Sequence, residues 1–154
     1  MKYDDASWHY GGDFPEGLPE EAAATHIGMF VAWAMLNGFA GSIHTDDFPG
    51  MLATLKGREL TPGAWFLQAC DGKFTDEDLN DEGNAFTRSY YADDSGLRTG
   101  AEGYLADYES TFPASDDLYS VPDSWASYDQ IAPRISKRMS KWRNPKTGWR
   151  RFFS

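Results

Sequence analysis

The sequence offers one candidate nucleophile, the thiol of Cys70. The segment Gln68–Gly72 reads QACDG, and a caspase nucleophile motif has Arg, Gln or Gly where Asp71 stands. His26 lies 44 residues upstream of Cys70, near the caspase offset of about 50. However, a caspase cysteine ends a strand, whereas Thr61-Pro62 predicts the start of a helix that contains Cys70. We therefore expect a buried structural thiol at this position.

The acidic segment Asp76–Gly83, DEDLNDEG, is similar to the start of a calcium-binding loop. Its first, third and fifth residues match the ligand pattern of such a loop. However, Asp81 stands where the loop needs glycine, and Thr87 stands where it needs a bidentate glutamate. The segment is better interpreted as the acidic first turn of a helix that Thr75 caps. We predict no metal here.

The three histidines, His9, His26 and His44, all lie in the first 44 residues. The aspartates near them are Asp4, Asp5, Asp13, Asp46 and Asp47. Such residues could form a metal site or an acid–base site. No two of the histidines have the i, i+4 spacing of a helical zinc motif, and no Cys–His set accompanies them. Hydrogen-bonded structural histidines are therefore favoured, and we predict no catalytic residue, no metal and no cofactor. The sequence leaves open whether the three side chains converge.

Basic residues are concentrated at the C-terminal end of the chain. Eight of the 14 Lys and Arg residues lie in the last 21 positions, and all 24 carboxylates precede them. Residues 1–133 therefore have a formal charge of −18, and residues 134–154 have a formal charge of +8. An acidic body repels nucleic acid and anionic membranes, and it attracts a basic partner or its own basic end. We predict a protein partner, with neither nucleic acid nor a membrane.

The longest apolar run, Ile27–Leu36, predicts the element around which the others pack. Its ten residues are about half of the roughly 20 that span a membrane, so a buried central helix is favoured. We expect this run to be the most buried segment, with Trp33 in the core. The single cysteine and the absence of a visible signal peptide predict a cytoplasmic protein.

Further helices are indicated on both sides of this run. Thr61-Pro62 is a typical helix start, and apolar residues spaced by three and four predict another helix over Ser124–Trp142. Pro133 should kink or split that helix. Residues 41–50, rich in Gly, Asp and Pro, are predicted to form a loop. Residues 104–108 fit a strand or a helix equally well.

These elements predict a mainly α fold. We expect a single compact helical domain over residues 1–142, with room for a small two-stranded β element. Residues 143–154, RNPKTGWRRFFS, have no periodicity and are predicted to form a flexible basic aromatic tail. Such a tail could bind a partner or fold back on the acidic body.

The chain opens with YDDASWHYGGDFPEGLP and continues through ATHIGMFVAWAMLNG, HTDDFP, LTPGAWFL, FTDEDLN, YLADYE, LYSVPDSW and YDQIAPRI. From Tyr3 to about Trp142, these strings resemble an uncharacterised family of small bacterial proteins that open with YDDASWH and GGDFP. Proteins of this kind occur beside secreted and polymorphic toxins in bacterial genomes. The resemblance implies an immunity protein, which binds a cognate toxin domain and blocks it. It implies no role for individual residues or for the tail.

The sequence is consistent with three functions. The leading hypothesis is a non-enzymatic immunity protein that blocks the basic active-site cleft of a cognate toxin protein. The alternatives are a small enzyme that uses a His/Asp cluster and an adaptor that recognises a basic partner; the oligomeric state stays open. Carboxylates that cluster on exposed elements are the predicted partner-binding residues, because they complement a basic cleft. These are Asp46, Asp47, Asp76, Glu77, Asp78, Asp81, Glu82, Asp93, Asp94, Asp116 and Asp117.

Overall fold

The computed structural model describes residues 1–11, 14–93, 96–98, 100 and 102–145. Six α-helices and four short strands lie within these ranges. The helices are α1 (Thr25–Leu36), α2 (Pro49–Lys56), α3 (Pro62–Cys70), α4 (Asp81–Tyr90), α5 (Tyr104–Thr111) and α6 (Trp125–Arg143). The strands are β1 (Lys2–Asp5), β2 (Lys73–Thr75), β3 (Ala92–Asp93) and β4 (Gly96–Leu97). The prediction of a mainly α fold with a small β element is confirmed.

The strands form two antiparallel pairs, of which the first determines where the N-terminus lies. β1 pairs with β2, so that Asp4 lies opposite Phe74 and Asp5 lies opposite Lys73. β3 and β4 form a separate short hairpin. A 3-10 turn, Ala6–His9, follows β1, and the carboxylate of Asp5 caps it by accepting a hydrogen bond from Ser7 N. The first nine residues are therefore held against the body of the protein.

Helix α1 is the centre of the core. Its residues from Thr25 to Met35 are all buried, and Trp33 is 2% exposed. A helix that is apolar on every side must be surrounded, and α1 packs against both α3 and α6. The predictions that this run is the most buried segment and that Trp33 lies in the core are confirmed. In the described ranges, no helix combines the length and the apolar character needed to cross a membrane.

Most of the other helices follow the local sequence signals. The helix expected to begin after Thr75 does not, because Thr75 caps a separate 3-10 turn and α4 begins at Asp81 with Asn80 as its cap. Thr61 caps α3, since its hydroxyl accepts a hydrogen bond from Ala64 N. The segment that could be strand or helix belongs to α5.

Helix α6 continues through Pro133 without splitting, and Ile131 and Ile135 are fully buried on either side of the proline. Their burial offsets the single backbone hydrogen bond that proline cannot donate.

Replacing Gly28 by alanine should lower the free energy of unfolding by about 1–3 kcal/mol. A Cβ at Gly28 would lie 2.7 Å from the carbonyl oxygen of Pro62 and 2.8 Å from Cα of Gly63, so α1 and α3 would have to separate. In an unconstrained helix interior, alanine would instead be favoured over glycine by about 1 kcal/mol.

Gly50→Ala, in the first turn of α2, is the matched control, because no atom lies within 4 Å of the added Cβ. Urea denaturation should show a lower midpoint for Gly28→Ala and an unchanged or higher midpoint for Gly50→Ala. A Gly28→Ala midpoint at or above that of the wild type would contradict the close packing of α1 on α3.

Candidate functional site

The first candidate site is formed by two turns that lie far apart in the sequence. One is a π-helical turn, Ile43–Asp47, inside the segment predicted to be a loop, and the other is a 3-10 turn, Asp76–Asp78. Gly41 N donates a hydrogen bond to the Asp78 carbonyl oxygen at 2.9 Å. A Cβ at Gly41 would lie 2.6 Å from the carbonyl oxygen of Glu77, so only glycine permits this approach. The two acidic turns are therefore fixed side by side.

A buried side-chain pair joins the same two turns. His44 Nε2 lies 2.8 Å from Asp78 Oδ1, and both side chains are buried. The second oxygen of Asp78 accepts a hydrogen bond from Thr75 N, which completes the capping box at this turn. Asp78 was a predicted partner-binding residue, but its carboxylate faces inward and positions the turns.

An exposed aromatic residue follows the first turn directly, and both turns carry exposed carboxylates. Phe48 is 60% exposed, which is unusual for a phenylalanine of a folded protein. Asp46, Asp47 and Glu77 are exposed, and none has an ion-pair partner among the described residues. We refer to Asp46, Asp47, Phe48 and Glu77 as the Phe48 surface.

Most of the other predicted partner-binding carboxylates have partners within the protein. Asp76 pairs with the N-terminal amine, Glu82 with Arg143, and Asp93 with Arg98. Asp117 caps the 3-10 turn Leu118–Ser120. Asp81 and Asp116 are exposed without an ion-pair partner in the described ranges, and Asp94 lies outside those ranges. The Phe48 surface is thus the place where two predicted clusters meet and face solvent.

A second candidate site is the N-terminal histidine cluster, which consists of Asp4, His9 and His26. The 3-10 turn after β1 carries His9, and α1 carries His26 in its first turn. His9 Nε2 lies 2.8 Å from Asp4 Oδ1, and His26 Nε2 lies 3.8 Å from Asp4 Oδ2. Tyr91 donates a hydrogen bond to Asp4 Oδ2 at 2.7 Å, and the Tyr119 hydroxyl lies 2.8 Å from His9 Nδ1.

The electrostatics of this cluster keep a negative charge inside the protein. Burial raises the pKa of Asp4, but the hydrogen bonds from His9 and Tyr91 outweigh it, and the pKa lies below its usual value. Burial lowers the pKa of His26 to about 3, so this imidazole is neutral at pH 7. Both ring nitrogens of His26 are buried without a hydrogen-bond partner.

A third group joins His44, Asp78 and Cys70. Cys70 Sγ donates a hydrogen bond to Asp78 Oδ1 at 3.6 Å. Burial, together with the negative charge of Asp78, raises the pKa of the Cys70 thiol far above its usual value, so the thiol stays protonated at neutral pH. Cys70 lies at the end of α3, and its neighbour is His44, whereas His26 belongs to the N-terminal cluster. The three histidines are thus divided between two places.

One functional candidate, Phe48, was missed from the sequence, and Asp4 was noted only as one of several aspartates near the histidines. Phe48 lies outside every apolar stripe, between Asp47 and Pro49, and that position is the signal that could have indicated exposure. Asp4 lies five residues before His9, but only the pairing of β1 with β2 buries its carboxylate beside α1. The sequence contains no local signal for that burial.

Comparison with protein families matches residues 2–121 to a family described as a domain of unknown function, DUF7832. The match covers most of the chain and ends before α6. Neither the curated proteins nor the solved structures contain a match to this chain.

Proposed function

We propose that this protein, which belongs to the DUF7832 family, is a non-enzymatic immunity protein that binds a cognate bacterial toxin and blocks its basic active-site cleft. The observation that carries the proposal is the Phe48 surface. There, an exposed aromatic residue follows Asp46 and Asp47 in the chain, and the carboxylates of the two adjoining turns have no ion-pair partner in the described part of the chain. Such a combination suits a protein partner with a positively charged depression.

The two kinds of side chain have different roles in binding. An aromatic ring that enters a pocket of the partner can contribute about 2 kcal/mol or more, because it removes a large apolar area from water. Carboxylates at the rim contribute mainly to the association rate and to the choice of partner. Phe48 would therefore determine how long the complex lasts, and Asp46, Asp47 and Glu77 would determine how fast it forms.

The Phe48 surface is also organised before binding. The hydrogen bond from Gly41 N to Asp78 and the buried contact between His44 and Asp78 fix the two turns against each other. A rigid surface loses less conformational entropy when a partner binds than a flexible loop would lose. This preorganisation supports a binding role for the turns, because carboxylates that served only to keep the protein in solution would not need a rigid arrangement.

The toxin in this proposal comes from the resemblance of the chain to proteins found beside secreted toxins. The charge distribution is consistent with it, since residues 1–133 have a formal charge of −18. Toxins that cleave nucleic acid or nucleotides need basic clefts, and an acidic protein is steered into such a cleft. The adaptor alternative would use the same surface for a basic partner that is not a toxin.

The test is protection in cells. The genes next to this one are searched for a toxin domain, which is expressed in a host bacterium with the wild-type protein, and survival should be restored. Purified wild-type protein should bind the same toxin domain. Asp46→Lys/Asp47→Lys should lower the association rate roughly tenfold or more at low salt. Phe48→Ala should raise the dissociation rate about 30-fold, which corresponds to about 2 kcal/mol.

Glu20→Lys/Glu21→Lys is the matched control, because it changes the net charge equally at two other adjacent exposed positions. This control should bind and protect like the wild type. Absence of protection by the wild type would disprove the immunity function and favour the adaptor alternative. Protection that survives every substitution in the Phe48 surface would mean that the toxin binds elsewhere.

The enzyme alternative rests on the convergence of Asp4, His9 and His26. A catalytic site of this kind needs at least two groups that reach the substrate. The side chain of His26 is 1% exposed and that of His9 is 12% exposed, so only His9 meets solvent. The geometry therefore supports binding at the Phe48 surface better than acid–base catalysis at the histidine cluster.

A further inference from the structure

We infer that the N-terminal histidine cluster binds a divalent transition-metal ion, with zinc as the preferred ion, through Asp4, His9 and His26. This inference does not rest on the proposed immunity function. It departs from the expectation that these histidines are structural, because the fold brings His9 and His26 together at Asp4 although no local motif connects them.

The donor atoms have nearly the spacing that zinc requires. One carboxylate oxygen and one ring nitrogen from each histidine lie within 4.8 Å of one another. Bonds of about 2.0–2.2 Å in a tetrahedron separate neighbouring ligand atoms by about 3.4 Å. The contacts of Asp4 with His9 and His26 are 2.8 Å and 3.8 Å, on either side of that value. The first contact would have to lengthen by about 0.6 Å and the second to shorten by about 0.4 Å to bring these ligand atoms to tetrahedral spacing.

The burial of these groups is the second observation. Asp4 is 1% exposed and is held by hydrogen bonds in its charged form, yet no Lys or Arg pairs with it among the described residues. Next to it, His26 Nε2 is buried without a hydrogen-bond partner. A buried charge and an unsatisfied nitrogen are both costly, and one cation between them would relieve both costs.

The groups around the cluster resemble the outer shell of known metal sites. Ligand carboxylates and imidazoles are usually held by further hydrogen bonds, which fix their orientation. Here Tyr91 and Asp5 N donate to the Asp4 carboxylate, and the Tyr119 hydroxyl bonds to His9 Nδ1. These contacts aim His9 Nε2 at Asp4, to which it donates a hydrogen bond in the metal-free protein. Zinc would displace that proton, and the proton on His9 Nδ1 would then be donated to the Tyr119 hydroxyl.

The donor set selects the class of metal. Two imidazoles and one carboxylate suit zinc and related transition metals, whereas calcium and magnesium prefer a site made of oxygens. Three protein ligands leave a fourth tetrahedral position for water or for a group from a partner. That position would lie on the side of His9, whose side chain is the only partly exposed one of the three.

The experiment begins with the full-length protein, stripped of metal by a chelator that is then removed. Calorimetric titration with zinc chloride should show one ion bound per chain, and zinc should raise the melting temperature. His9→Gln and His26→Leu should each weaken binding at least about 100-fold and abolish the thermal shift. X-ray absorption of the zinc form should show nitrogen and oxygen ligands at about 2.0–2.2 Å.

Two controls keep the inference falsifiable. His44→Gln removes the histidine of the other cluster and should bind zinc like the wild type. Because His26 is fully buried, circular dichroism must show that its variant folds, and His9→Gln provides an independent test at a partly exposed position. The inference is overturned if zinc does not bind, if His9→Gln binds as the wild type does, or if a sulfur ligand at about 2.3 Å places the ion at Cys70.

Discussion

Replacing Trp33 by alanine is expected to lower the free energy of unfolding by about 3–5 kcal/mol, the range for removing a large buried aromatic side chain. Trp33 packs against Phe30, Phe39 and Phe86, at ring-centroid distances of 5.9, 5.5 and 5.6 Å. Its indole nitrogen donates a hydrogen bond to Ser136 Oγ at 2.9 Å, which ties α1 to α6. The substitution would leave a cavity at the place where these two helices meet.

Urea denaturation followed by circular dichroism measures this change directly. Trp8→Ala is the matched control, because Trp8 is 58% exposed and its main described contact is a cation–π interaction with Lys2. Exposed contacts of that kind contribute about 0.5–1 kcal/mol. A loss below about 1 kcal/mol for Trp33→Ala would mean that the packing of α1 against α6 is not central to the stability of the fold.

Helices α1 and α3 could be predicted because each has a local cause. The run Ile27–Leu36 is too apolar to lie at a surface, and Thr61-Pro62 supplies a capping hydroxyl followed by a residue preset for the first turn. The segment 104–108 could not be assigned, because five residues are too few to distinguish a period of two from one of 3.6. Its membership of α5 is decided by packing, since Tyr104 and Tyr108 are both buried.

The candidate sites could be predicted only in part. The carboxylates of the Phe48 surface are visible in the sequence as acidic pairs, but their meeting depends on the tertiary contact between Gly41 and Asp78. The histidine cluster likewise depends on a strand pairing across about 70 residues, which side-chain spacing does not reveal. Local patterns determine elements, whereas sites arise from contacts between elements.

The contacts of the basic C-terminal end also could not be predicted from local sequence patterns. From the sequence, its positive residues form one segment opposite an acidic body, and folding back on that body was one interpretation. The structure shows that part of this segment belongs to α6, where Arg138 pairs with Asp107 and Arg143 pairs with Glu82. Residues 146–154, which contain most of the predicted flexible tail, lie outside the described ranges, and that prediction stays open.

Replacing Asp107 by asparagine is expected to lower the free energy of unfolding by about 3–5 kcal/mol at pH 7. Asp107 is 1% exposed and binds Arg138 through two hydrogen bonds of 2.8 and 2.9 Å. Tyr90 donates a third hydrogen bond to the same carboxylate at 2.6 Å. The substitution would leave the guanidinium of Arg138, which is 20% exposed, with only the exposed carboxylate of Glu102 at 3.7 Å as a charged partner among the described residues.

Glu82→Gln is the matched control, because Glu82 and Arg143 form a similar two-bond pair in which both side chains are about half exposed. Pairs at exposed positions contribute about 0–1 kcal/mol, since water competes for both groups. Chemical denaturation at pH 7 should therefore show a clearly larger loss in the free energy of unfolding for Asp107→Asn than for Glu82→Gln. Equal losses would mean that the burial of Asp107 adds nothing to its pairing with Arg138.

The pH dependence gives this prediction a second check. Burial raises the pKa of Asp107, but the hydrogen bonds from Arg138 and Tyr90 outweigh it, and the folded-state pKa lies below its usual value. The contribution of the Asp107–Arg138 pair to the free energy of unfolding is then fully present above the unfolded-state pKa of about 3.9. This contribution is lost as the pH falls below that value and through the lower folded-state pKa. The difference in the free energy of unfolding between the wild type and Asp107→Asn should be the same at pH 7 and pH 5, and it should be smaller at pH 3. A difference that stays constant down to pH 3 would show that the carboxylate charge does not stabilise the fold.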